Sequence, residues 1–136
     1  VYTYIIAHIT GVIYPERSNK VKIKFTVTLT EENVNDIMTS ALEGSGITYW
    51  CDEVRVVQAI NNKKSPKYAS DALTTGNYLM IHDVEEEKWH YLTLKKFLKG
   101  LQLYVEQGGT LEATEIDGPA ADTIVQLAIF GKPTYS

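Results

Sequence analysis

The chain has one cysteine, Cys51, in 136 residues. An internal disulfide is therefore excluded, as is a cysteine-rich zinc site. Arginine is also scarce: Arg17 and Arg55 are the two present. Acidic residues outnumber basic ones, 17 to 13, for a formal net charge of −4. That balance argues against a general nucleic-acid binder, although it leaves room for one local basic patch. No apolar run approaches the roughly 20 residues that span a bilayer. No GxGxxG, Walker A or HExxH pattern occurs, and LEGSG lacks the G-x-S-x-G spacing of a nucleophile elbow. What is present is ordinary for a globular protein: 44% hydrophobic and 22% charged residues. A chain of this length buries roughly two-thirds of its unfolded surface and needs no metal or disulfide to fold. The expectation is a soluble, cytoplasmic, single-domain protein with no membrane partner and no implied cofactor.

The first twenty residues differ from the rest. VYTYIIAHITGVIY is apolar and β-prone, and the polar stretch PERSNK follows it. Neither a basic lead-in nor a small-residue cleavage site marks it as a signal peptide. Three readings stay open: a first strand Tyr2–Tyr14 bent at Gly11, an interface arm, or a reading frame extended upstream of a start at Val21. The last has a motive in Glu16-Arg17-Ser18, whose codons can contain a purine-rich ribosome-binding sequence. The division is thus an N-terminal extension over 1–20 and one domain over 21–136, with the fold expected to stand without the extension.

From Val21 the pattern sharpens. Val21, Ile23, Phe25, Val27 and Leu29 alternate with polar residues, which predicts a half-buried strand. Thr30 suits an N-cap for a helix over 31–43, with Val34, Ile37, Met38, Ala41 and Leu42 as its buried stripe and Gly44 as its stop. SGITYWCDEV fits either a short helix or an aromatic loop. VRVVQAI reads as a strand from Val54, and NNKKSPK as a polar loop. Ser70 suits the cap of a short helix. NYLMIHDV and WHYL flank an acidic turn as a hairpin. Thr93 caps a helix with Leu94, Phe97, Leu98, Leu101, Tyr104 and Val105 on its apolar face. Asp117 and Pro119 open a last helix, apolar nearly all round, which Gly131 ends. The order predicts an α+β domain: a mixed or antiparallel sheet of four or more strands packed with three main helices.

Few groups on this frame point to catalysis. His8, His82 and His90 lack close ligand spacing, and alternation puts His82 and Asp83 on opposite faces of their strand. Cys51 follows Tyr49-Trp50 and reads first as a small core residue. Glu85, Glu86 and Glu87 read as a solvated hairpin tip. Binding groups are better represented. Lys63, Lys64 and Lys67 beside Tyr68 read either as a solvated loop or as a combination that holds phosphates while the ring stacks on a base. Arg55 sits on an apolar strand, where it must snorkel, pair or serve a ligand. Nine tyrosines and two tryptophans accompany three phenylalanines, a bias toward rings with a polar tip that suits pockets and interfaces. The candidate ligand-binding residues are Tyr49, Trp50, Arg55, Lys63, Lys64, Lys67 and Tyr68. Tyr49 and Trp50 are read equally well as a plug between the first helix and the sheet.

The segments TVTLTEENVNDIMTSALEGSGITYWCDEVRVV, YASDALTTGNYLMIHD, LTLKKFLKGLQLYVEQGG and IDGPAADTIVQLAIFGKPTY carry a resemblance. They are similar to a family of small uncharacterised proteins of phages, prophages and gut Firmicutes. ALEG-x-G-I-x-YWC is the most specific part. The resemblance spans about Val21 to Tyr135, and the serine in LEGSG departs from the family's LEGG. It implies a phage or mobile-element origin and supplies no activity or catalytic residue. The leading expectation is a non-enzymatic binder in the host cytoplasm that antagonises host defence by sequestering a nucleotide immune signal in a homo-oligomer. The alternatives are a protein–protein inhibitor of a host defence protein, such as an anti-CRISPR, and a small nucleotide-processing enzyme.

Overall fold

A computed structural model describes residues 5–14, 22–111 and 116–136. The break expected at 15–20, the start considered at Val21 and the tyrosines Tyr2 and Tyr4 lie outside them. Strands β1 (Ile5–Ile13) and β2 (Ile23–Thr30) form an antiparallel pair, with Ala7 opposite Leu29 and Ile13 opposite Ile23. Exposure along β2 follows the expected alternation, and its apolar face deepens toward Leu29, which is buried. Residues 5–13 are therefore a paired strand in this structure, and Ile9 is buried within the main core.

β2 runs directly into α1 (Glu31–Leu42). Thr30 accepts from the Asn33 backbone N–H, and the Asn33 side chain accepts from the Thr30 N–H, closing a capping box. Glu31 and Glu32 stand in the first turn, where the helix dipole favours them. Beyond the cap residue Glu43, Gly44 takes φ 69°, a left-handed value that ends the helix cheaply only in glycine. The ambiguous aromatic stretch resolves into a short 3-10 helix, Ile47–Tyr49, and a strand β3 (Cys51–Val57) that begins three residues before the expected Val54. β3 pairs with β4 (Tyr78–Asp83), which pairs with β5 (Lys88–Leu92) around the acidic turn. Ser70 is not a cap: it is buried inside a second 3-10 helix, Ala69–Asp71.

Thr93 caps α2 (Leu94–Glu106), and Asp117 caps α3 (Gly118–Phe130), each accepting from a backbone N–H three residues on. The two helices pack at Gly100, where an added Cβ would stand 2.6 Å from the Ala128 backbone nitrogen. The sheet prediction needs correction. The described residues hold five strands in two separate antiparallel sheets, of two and three strands, not one sheet of four or more. Alternation predicts a strand's faces but not its neighbour, and here β2 is diverted into α1 before it can join β3. The α+β class and the three helices are as expected. One apolar core joins both sheets to all three helices, with Val34, Met38, Ile47, Trp50, Leu79, Ile81, Phe97, Leu101 and Ile124 at its centre.

Candidate ligand-binding face

The pleat divides the three-stranded sheet into unlike faces. Leu79, Ile81 and Leu92 point into the core and are fully buried. The other face carries Glu53, Arg55 and Val57 from β3, Tyr78, Met80 and His82 from β4, and Trp89 and Tyr91 from β5. None of these is buried, and Tyr91 is 52% exposed. Along this face the side chains stack across strands. The Arg55 guanidinium lies over the Trp89 ring at 4.6 Å from its centroid, reaching across β4. The His82 and Trp89 rings are 4.9 Å apart, and those of Tyr78 and Tyr91 5.7 Å. Glu53 pairs with Arg55 through Nε, so the fork's terminal Nη edge lies outside that pair. An irregularity between Cys51 and Glu53 leaves Asp52 out of the ladder, and its carboxylate accepts from His82 Nδ1 at 2.6 Å.

The lysine loop joins the Val57 and Tyr78 ends of this sheet. Its spine is buried Asn77, which accepts from the Ala59 N–H and from Asn62 and donates to the Lys64 carbonyl. Lys63, Lys64 and Lys67 are exposed on a loop fixed by those bonds. Tyr68 is 60% exposed, with the Lys67 ammonium 5.3 Å from its ring centroid.

Trp50 is placed elsewhere. It is 1% exposed, stacks on Tyr135 at 5.5 Å and tilts against Phe130, so it offers no face to a ligand. Its Nε1–H donates to Asp122, which also accepts from the Tyr49 hydroxyl and the Gln126 amide. Gln126 in turn accepts from the Thr134 and Tyr135 N–H groups, which ties the C-terminal tail to α3. Burial pushes the Tyr49 hydroxyl up to about 12, and the Asp122 carboxylate adds to the effect. Of the sequence candidates, Trp50 thus belongs to this inner network, Tyr49 joins it by its hydroxyl while the residue stays 51% exposed, Arg55 belongs to the open face, and the lysines with Tyr68 to the loop. Trp89, Tyr91, Tyr78, Met80 and His82 were missed. Alternation in NYLMIHDV and WHYL contained the signal, but which face lacks a cover is not written in either strand alone.

Two clefts offer less. One of about 310 Å³, beside α1, is lined by Asn33, Asp36, Thr39 and Ser40 and by apolar groups, with neither a cation nor a ring in its described lining. Another of about 330 Å³, between β1 and α2, has Lys95 and Lys99 but His8 as its sole ring among described residues. No helix among the described residues is long and apolar enough to cross a membrane. No protein-family model, curated protein or solved structure matches the chain.

Proposed function

We propose that the protein is a binding module acting without turnover, and that the open sheet face holds a nucleotide-like ligand. The observation that carries this is the Arg55–Trp89 stack on a face where these two and six neighbouring side chains keep solvent access. A ring surface gains about 1–3 kcal/mol from a stacked base. A guanidinium fork grips a phosphate with two parallel bonds, which lysine does not reproduce. Lys63 and Lys64, on the loop at the end of the same sheet, add cationic reach. In a phage or mobile-element setting, such a module would withhold a nucleotide immune signal from host defence.

The test is titration of the protein with mononucleotides, cyclic nucleotides and cyclic dinucleotides, followed by intrinsic fluorescence. Trp50 is enclosed, so a ligand on the open face changes the Trp89 contribution. Saturable quenching, weakened by Trp89→Ala and by Arg55→Lys without loss of thermal stability, is the expected result. Ligand released intact on heating fits sequestration; chemically altered ligand means an enzyme. No response to any member of the panel, with a host protein co-purifying, transfers the face to a protein–protein inhibitor.

A further inference from the structure

The opposite face of the same hairpin holds a different chemistry. Among the described residues, Asp83, Glu86 and His90 bring one donor atom each within 4.8 Å of one another. We propose that these three side chains form a site for a divalent transition metal, Zn²⁺ by preference, at the root of the β4–β5 hairpin. Asp83 is fully buried and already oriented. Its Oδ1 accepts the Glu85 and Glu86 N–H groups of the turn, and its Oδ2 faces His90 Nε2 and accepts from the Tyr135 hydroxyl at 2.7 Å. Such outer bonds are what hold a ligating carboxylate in place around a metal. The His90 ring is set edge-on against Phe130, 4.9 Å away, which fixes the direction of Nε2.

The Asp83–His90 separation fits two ligands of one ion as well as it fits a hydrogen bond. Asp83 Oδ2 and His90 Nε2 are 3.2 Å apart. An N–H···O hydrogen bond spans about 2.7–3.2 Å. Two ligands on a tetrahedral ion with bonds of about 2.0–2.1 Å stand about 3.3 Å apart. Glu86 is the movable member. Its side chain is 50% exposed and its one ion pair, with Lys88, is loose at 3.8 Å, so it is free to close on an ion from the solvent side. One imidazole and two carboxylates suit Zn²⁺ or Mn²⁺ better than Mg²⁺, which keeps oxygen ligands and water. Three protein ligands leave a fourth position open to water. The ion would join the hairpin turn to the strand behind it, next to the Tyr135 tail. Because Asp83 and His82 lie on opposite faces, this site is independent of the Arg55–Trp89 stack.

Tag-free protein comprising residues 1–136 is dialysed against ZnCl₂, with MgCl₂ in parallel, and bound metal is measured together with the melting temperature. The expected result is one Zn²⁺ per chain, no Mg²⁺ uptake and a rise in melting temperature, since an ion bound by the folded state stabilises it. Glu86→Gln, at an exposed position that the fold does not need, weakens binding at least about tenfold. His90→Gln abolishes it, and His8→Gln leaves it unchanged. Absence of saturable Zn²⁺ uptake by the wild type overturns the proposal, as does uptake that Glu86→Gln leaves intact or that His8→Gln removes.

Discussion

Asp122 shows how a single buried side chain holds several elements together. Its carboxylate accepts from the Trp50 indole at 2.8 Å, the Tyr49 hydroxyl at 2.6 Å and the Gln126 amide at 2.9 Å. Buried polar groups in such a network are stable only while all of them are satisfied. Trp50→Ala removes the stacked ring and one donor together, and its expected cost is about 3–5 kcal/mol in urea unfolding. A cost below about 1 kcal/mol would return Trp50 to the candidate binding surface. Tyr49 adds a pH dependence. Its folded pKa is raised from 10.0 to about 12, so the stability it contributes is complete below pH 10 and is lost as pH rises from there through about 12. Tyr49→Phe is therefore expected to flatten the fall in the urea midpoint over that alkaline range. An equally steep fall in the variant would show that the hydroxyl is not the titrating group.

Helix packing makes Gly100 a test of its element. In an isolated helix, replacing glycine by alanine gains about 1 kcal/mol. Here the added methyl meets the Ala128 backbone nitrogen at 2.6 Å and its Cα at 2.7 Å. Backbone cannot rotate away as a side-chain tip can, and overpacking of this kind costs about 1–3 kcal/mol. Gly100→Ala is expected to lower the melting temperature despite its better helix propensity; a rise would mean that α2 and α3 separate easily. The first strand changes an expectation in the same way. β1 is paired with β2 from Ile5 to Ile13, and its Ile9, 6% exposed, is part of the main core. Removing residues 1–20 takes Ile9 out of the core and breaks the ladder, so a chain beginning at Val21 is expected to melt at least about 4 °C lower, the shift of about 1 kcal/mol in a domain of this order. Equal melting temperatures would restore the reading in which the fold stands without them.

Across the whole molecule, α3 is the element around which the others assemble. Ile124 is fully buried in the cluster that joins both sheets to the helices, whereas Leu98, expected to be equally central, is half-buried beside the cleft between β1 and α2. Ile124→Ala is expected to cost about 2–5 kcal/mol and Leu98→Ala less, compared by urea unfolding. Reversal of that order would move the core toward the β1 side of α2. The same arrangement sets the two candidate sites. α3 and the tail behind it hold the inner face of the sheet, through His90 against Phe130 and Tyr135 against Asp83. The outer face, with Arg55 and Trp89, keeps its solvent access.

Local signals in the sequence determined most of the elements. Thr30, Thr93 and Asp117 mark helix starts because each offers an oxygen to an N–H three residues ahead, an interaction contained within four residues. Alternation in β2 and β4, and the opposite facing of His82 and Asp83, follow from the two-residue period of a strand. Tertiary structure alone decided the rest. Trp50 directly precedes β3 and Trp89 lies within β5, yet the first is enclosed by Phe130 and Tyr135, far along the chain, and the second is not. The division of five strands into two sheets, the pairing of Asp83 with His90 and Tyr135, and the uncovered face of β3–β5 likewise depend on residues distant in sequence. No local period encodes such partners, because they are selected by how the whole chain buries its apolar surface.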